Sequence, residues 1–235
     1  IETNNRKTKV FYNVDLKEPY IIRHLNYEIA DSNLKMLFDF DSVNCMIQRD
    51  KPYDVDILQA EMKRFEHYIK DFGFYNFSSD YISFSVDSTI GNHQVDIYYN
   101  VKKFLKIDNN NQQVQVPHTI YKVKNVYIFP DFDPKDALEG GNNYINSLDT
   151  TEYNGYYFIS PGQKPLLRYD LILQALYIKP GAVYNVTNTE QTHSHLMALK
   201  TFRLINVYYN ELQNYTDSAD NNFLNCNIQL TMLTQ

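Results

Sequence analysis

The sequence predicts an α+β chain in which one strand–helix–helix–strand–strand unit is used twice. Three observations predict it: an amphipathic helix with signals at both ends, alternating apolar strands directly after it, and the same order of apolar positions returning about a hundred residues later.

Val10, Tyr12 and Val14 alternate with polar residues ahead of Pro19, so residues 1–16 read as the last strand of an earlier, truncated unit, with more units upstream in the native chain. Residues 17–104 form the first full unit. It opens on a β-rich run over 20–29 and a short apolar segment over 34–40 that suits a first, smaller helix. The strongest signal follows Pro52. Asp54 is placed to cap a helix, and Leu58, Met62, Phe65, Ile69 and Phe72 recur at spacings of 4, 3, 4 and 3, one stripe of a 3.6-residue spiral. Gly73 ends it as a left-handed cap does, while Glu61, Lys63, Arg64, Glu66, His67 and Lys70 read as a solvated face. Ile82, Phe84 and Val86 then alternate with Ser83 and Ser85. Past a polar turn at Gly91 and Asn92, Val95, Ile97, Tyr99 and Val101 alternate with Asp96, Tyr98 and Asn100, which makes a hairpin with one buried face.

Residues 105–117 are rich in Asn and Gln and read as a polar linker, with a hinge expected over 102–116. Residues 118–235 repeat the order. Tyr20, Ile22, Leu25 and Tyr27 have counterparts 101 residues later in Tyr121, Val123, Val126 and Ile128. The helix matches at a longer offset: Tyr53 with Tyr184, Ile69 with Leu199, Phe72 with Phe202. The second unit therefore carries about 30 extra residues, placed near 131–167. Ile205, Val207 and Tyr209, then Leu224, Cys226, Ile228, Leu230 and Met232, close it with a second alternating hairpin.

Lys+Arg 22 against Asp+Glu 28 gives a net charge of -6, so there is no basic surplus to neutralise phosphates and nucleic acid is excluded as the main partner. With 43% hydrophobic residues the chain can bury a core. The longest apolar runs, 126–129 and 171–178, are too short to cross a bilayer, and residues 1–8 lack the apolar segment of a secretory signal. Cys45 and Cys226 lie one in each half, in no redox or zinc spacing, with a disulfide between the halves left open.

Certain strings carry a resemblance. Residues 51–58 (KPYDVDIL), Glu61, Arg64, residues 72–84 (FGFYNFSSDYISF) and 94–97 (QVDI) resemble a POTRA domain of the Omp85 superfamily (D15 surface antigen), the BamA and TamA outer-membrane assembly proteins as they look in Bacteroidetes. The second copy, with 153–159 (YNGYYFI), 177–184 (YIKPGAVY), Thr192, Leu196, Leu199, Phe202, Asn206, Val207 and 224–231 (LNCNIQLT), resembles the last POTRA before the barrel. It departs in having Arg203 where the first copy has Gly73, so its helix is expected to end without a glycine.

The resemblance implies tandem POTRA modules, each a three-stranded mixed sheet covered by two helices, on the periplasmic face of the bacterial outer membrane, in a native chain that continues into an outer-membrane β-barrel. The implied partners are unfolded outer-membrane proteins and accessory lipoproteins, with no cofactor and no enzyme activity. The implied mechanism is β-augmentation at the edge strand after the second helix. That maps to Tyr81, Ile82, Ser83, Phe84, Ser85 and Val86, and to Asn206, Val207, Tyr208 and Tyr209. A dedicated secretion or division arm serving one partner is the alternative; a glycan-binding surface is weakened by the absence of Trp.

Other constellations fail on chemistry. His193 and His195 are two apart and would point to opposite sides of a helix, so they cannot grip one metal ion. Asp131, Asp133 and Asp136 lack the glycine and distal glutamate of an EF-hand loop. No nucleophile elbow or phosphate-cradling glycine loop occurs, and the sequons at Asn76, Asn185 and Asn214 follow from an Asn-rich composition.

Overall fold

Each major helix starts where a side chain accepts the loose backbone donors of its first turn. The computed structural model describes residues 2–4, 7–10, 18–108, 110–161, 167–216 and 222–233. Strands β1 (Glu2–Asn4) and β2 (Lys7–Lys9) form an antiparallel pair. Tyr12 and Val14, of the expected leading strand, lie outside the described residues.

The first module runs β3 (Ile21–Ile29), α1 (Ser32–Asp41), α2 (Val55–Asp71), β4 (Ile82–Asp87) and β5 (Gln94–Val101). Its sheet has the order β3-β5-β4, with β3 parallel and β4 antiparallel to the central strand. Asp31 caps α1, accepting from Asn33 N at 2.8 Å, and Asp54 caps α2, accepting from Asp56 N at 2.8 Å. Leu34 and Phe38 of α1 and Leu58, Phe65 and Ile69 of α2 meet Ile22, Ile82, Val95, Ile97, Tyr99 and Val101 of the sheet in one core. Burying each such side chain contributes about 1.5–3 kcal/mol. Two expectations for α2 are corrected: Phe72 is exposed, because the helix has already ended there, and Glu61 is buried rather than solvated.

Within the segment expected to be a linker, β6 (Phe104–Ile107) and β7 (Gln113–Val116) pair as an antiparallel hairpin.

The second module contains β8 (Tyr121–Phe129), α3 (Pro134–Asn146), β9 (Leu148–Tyr153), β10 (Tyr156–Pro161), α4 (Tyr169–Gln174), α5 (Val186–Ala198), β11 (Phe202–Thr216) and β12 (Asn222–Met232). Its sheet order is β11-β12-β8-β10-β9. Strands β11, β12 and β8 repeat the mixed three-strand order of the first module, and the inserted residues extend it: β10 lies parallel to β8, and β9 returns antiparallel to β10. The β9–β10 turn is Asn154-Gly155, both at positive φ (52° and 79°), the two-residue turn whose twist matches a hairpin.

One pairing of the two copies is corrected. Helix α5 starts in register with α2, with Asn185 capping at the place of Asp54, but spans 13 residues against 17 and so is about one turn shorter. Leu199 is therefore a cap residue, 40% exposed, and no counterpart of the fully buried Ile69. The counterpart of Gly73 is Lys200 rather than Arg203, and it too is left-handed, at φ 52°.

Candidate functional site: free sheet edges and a bonded joint

Strands β4 and β11 are the terminal strands of their sheets, following the matching helices α2 and α5. In an antiparallel ladder, alternate residues exchange both backbone bonds with the neighbour, and the rest point theirs away. Lys102 N donates to Tyr81 O at 2.9 Å, which puts Ser83 and Ser85 in bonded pairs and turns the backbone groups of Ile82, Phe84 and Val86 outward. On β12, Asn222 N donates to Ile120 O and Leu230 O accepts from Phe132 N, so its even-numbered residues face β8. Its odd-numbered residues then hold Asn206 and Tyr208, leaving Ile205, Val207 and Tyr209 facing outward. Of the ten residues expected to bind, Ile82, Phe84, Val86, Val207 and Tyr209 thus turn their backbone groups outward, with no strand paired to them on that side among the described residues. Tyr81, Ser83, Ser85, Asn206 and Tyr208 do not.

Side chains narrow the picture further. Tyr81 lies in a 3-10 turn, with its ring 4.6 Å from that of His118, and Phe84 packs edge-on against Tyr99 at 4.8 Å. The Tyr209 and Thr189 hydroxyls are 2.6 Å apart, and the Tyr209 ring sits among Tyr75 and Tyr184. Ser85, Val86 and Asn206 are the exposed members of the set.

The modules meet through a joint that sequence reading missed. Gly73, at φ +96°, accepts from Tyr121 N at 2.9 Å, and a Cβ there would lie 2.6 Å from Val183 Cγ1 and 2.8 Å from Ile120 Cγ2. Tyr75 inserts between Tyr121, Tyr184 and Tyr209 with edge contacts of 5.0–5.7 Å. Asp71, at the end of α2, accepts from Thr187 N at 2.9 Å and from the Thr187 hydroxyl at 2.8 Å, placing a carboxylate at the positive end of α5. Asn76 donates to Tyr121 Oη and to Glu211 Oε1.

On the other side, Asp31 Oδ2 accepts from the backbone and ring nitrogens of His118 at 2.7 and 2.8 Å while still capping α1. Burial by itself would raise the Asp31 carboxyl, but the bonds from His118 and Asn33 outweigh it and hold it below the usual carboxylate value. Burial and the Glu211 carboxylate push the Tyr121 phenol up to about 12, which keeps it a donor. The modules are therefore tied together by the bonds of Asp31, Asp71, Gly73 and Asn76, against the expectation of a hinge over 102–116. The sequons at Asn76 and Asn185 are part of this tie, Asn185 Nδ2 donating to Asp71 O; the Asn214 side chain lies outside the described residues.

Cys45 and Cys226 are free and buried in separate cores. Burial raises both thiols, Cys45 to about 11 and Cys226 to about 12. His193 and His195 are both exposed, with His195 against Tyr177 at 4.9 Å. Among the described residues, no group of three or more His, Cys, Asp or Glu is placed to hold a metal ion, and no helix is long and apolar enough to cross a membrane.

No family model and no curated protein matches the sequence. Solved structures do. BamA from Haemophilus ducreyi, in a crystal structure lacking POTRA domains 1–3, is similar at a TM-score of 0.57 and 8% identity, over 91% of this chain and 30% of that one. POTRA domains 1–2 of Omp85 from Anabaena are similar at 13% identity over 94% of this chain and 99% of that one, with a TM-score of 0.42. POTRA domains 3–5 of BamA from Haemophilus influenzae follow at 10% identity, 91% and 97% coverage and a TM-score of 0.29. The chain spans 30% of the length of the first of these, and that superposition gives it the POTRA fold.

Proposed function

We propose that this chain is the periplasmic arm of an outer-membrane protein of the Omp85 superfamily, of the BamA and TamA kind found in Bacteroidetes, in which a membrane-embedded β-barrel belongs to the same polypeptide. The arm docks extended segments of unfolded barrel proteins, and accessory lipoproteins, by β-augmentation. One observation carries this reading: the equivalent strands β4 and β11 both end their sheets with alternate backbone groups turned outward. An incoming strand pairs with such an edge through the main chain and so needs little side-chain specificity. The POTRA fold supports the placement, and the bonded joint supports a fixed spacing between the two edges.

The test is photo-cross-linking in native envelopes from probes replacing the exposed Ser85 and Asn206. The reading expects adducts with several barrel proteins. Val86→Pro and Val207→Pro should abolish them, because each removes an outward N–H while sparing the module's own ladder. A single adduct would favour a dedicated secretion or division partner. No adduct from either edge would end the docking reading.

A further inference from the structure

The first sheet has a second open edge, and the second module shows how such an edge is filled. Strands β3 and β8 are equivalent over their whole length, down to a one-residue bulge at the same place, between Ile22 and His24 against β5 and between Val123 and Asn125 against β12. The start of each is covered by the segment ahead of α2 or α5. Ile22 N donates to Lys51 O at 2.9 Å and Asp50 N to Ile22 O at 2.8 Å; in the second module Val123 N donates to Ala182 O at 2.8 Å and Gly181 N to Val123 O at 2.7 Å.

Beyond that cover the modules part. In the second, β10 pairs parallel with β8 at Tyr127 and Ile128, and Phe158 beside Ile128 stacks on Tyr169 at 3.9 Å. Ile128 and Phe158 are both fully buried as a result. In the first module, the equivalents of Tyr127 and Ile128 are Asn26 and Tyr27, and among the described residues no strand pairs with that side of β3. Tyr27 is 41% exposed, although its ring lies 4.8 Å from that of Phe38. Ala30 N donates to Val101 O, so Leu25, Tyr27 and Ile29 turn their backbone groups to the open side.

We propose that the outer edge of β3, from Leu25 to Ile29, is a docking site for a β-hairpin of another polypeptide, its inner strand parallel to β3 and an aromatic side chain set against Tyr27 and Phe38. The second module carries its own occupant in β9–β10, and among the described residues the first carries none. A second copy of this chain is a poor donor, because its hairpin is already paired with its own β8. This site is separate from the antiparallel edges β4 and β11 and stands or falls independently of them.

The probe is a synthetic peptide of residues 148–161, the hairpin that fills the equivalent edge, added to the whole chain and followed by amide hydrogen exchange. Slowed exchange at Leu25, Tyr27 and Ile29 is the expected result, with Ile29→Pro weakening binding by about a factor of ten or more through loss of an outward donor. The same loss is expected with the chain unaltered when the peptide's own Phe158 is replaced by Ala, which needs no refolded variant. Protection appearing only at β4 or β11, or at no edge, would overturn the proposal, as would equal binding of the Phe158→Ala peptide.

Discussion

Helices α2 and α5 hold the loop ahead of them with a buried polar side chain at the same helical position, but one uses a charge and the other a hydroxyl. Glu61, 1% exposed, accepts from Met46 N at 2.9 Å; Thr192, 0% exposed, accepts from Tyr177 N at 2.9 Å. The hydrogen bond needs only one acceptor, so the charge on Glu61 is an addition that must be neutralised. Arg64 does this with two bonds of 2.8 Å to Glu61, and it also pairs with the buried Asp41 at 2.7 Å. The bond to Glu61 raises the Arg64 guanidinium above its ordinary value, so it stays charged. What the two modules share is the tie between helix and loop, while the ion cluster is a local way of meeting it.

The largest expected effect comes from removing the counter-charge. Arg64→Leu leaves two carboxylates buried with one cation fewer and should cost about 3–5 kcal/mol, read as faster hydrogen exchange in α1 and α2 with the second module unaffected. Replacing Glu61 by Thr, Arg64 by Leu and Asp41 by Ala together should recover most of that loss; failure to recover would break the equivalence with Thr192. Next is the joint. Gly73→Val forces a branched side chain into a left-handed residue against Val183 and Ile120, at about 2–4 kcal/mol, and should expose the Tyr121 amide to exchange and change the small-angle scattering profile.

A smaller effect is expected at the neutral tie. Thr192→Val leaves the Tyr177 amide without its acceptor, for about 1–2 kcal/mol by urea unfolding monitored at second-module resonances. The smallest effect runs the other way. Lys200 is left-handed with a side chain, so Lys200→Gly should stabilise the second module by about 1 kcal/mol, opposite in sign to the change at Gly73.

Much of the fold was legible because its signals are local. The stripe Leu58, Phe65, Ile69 lies inside one helix, and Val95, Ile97, Tyr99 and Val101 inside one strand, and all are buried. Asn154-Gly155, flanked by Tyr153 and Tyr156, is an equally local hairpin signal. Glu61 is not legible as a buried acceptor because its neighbours Lys63 and Arg64 give it a polar setting in the sequence, while the Met46 amide that needs it comes from a separate loop. The match of Leu199 to Ile69 fails because a shortened helix shifts every later pairing, and apolar residues recur often enough to permit a false match.

The chain's own sequence determined the repeated unit, its helix starts and the alternation of its strands, because period, caps and turns depend on residues within a few positions of one another. Tertiary structure alone decided which carboxylates are buried, which half of each edge strand turns its backbone outward, and how the modules lock. Those outcomes rest on partners far away in the chain, as between Asp31 and His118 or Asn76 and Glu211, which only the packed sheets bring within bonding distance.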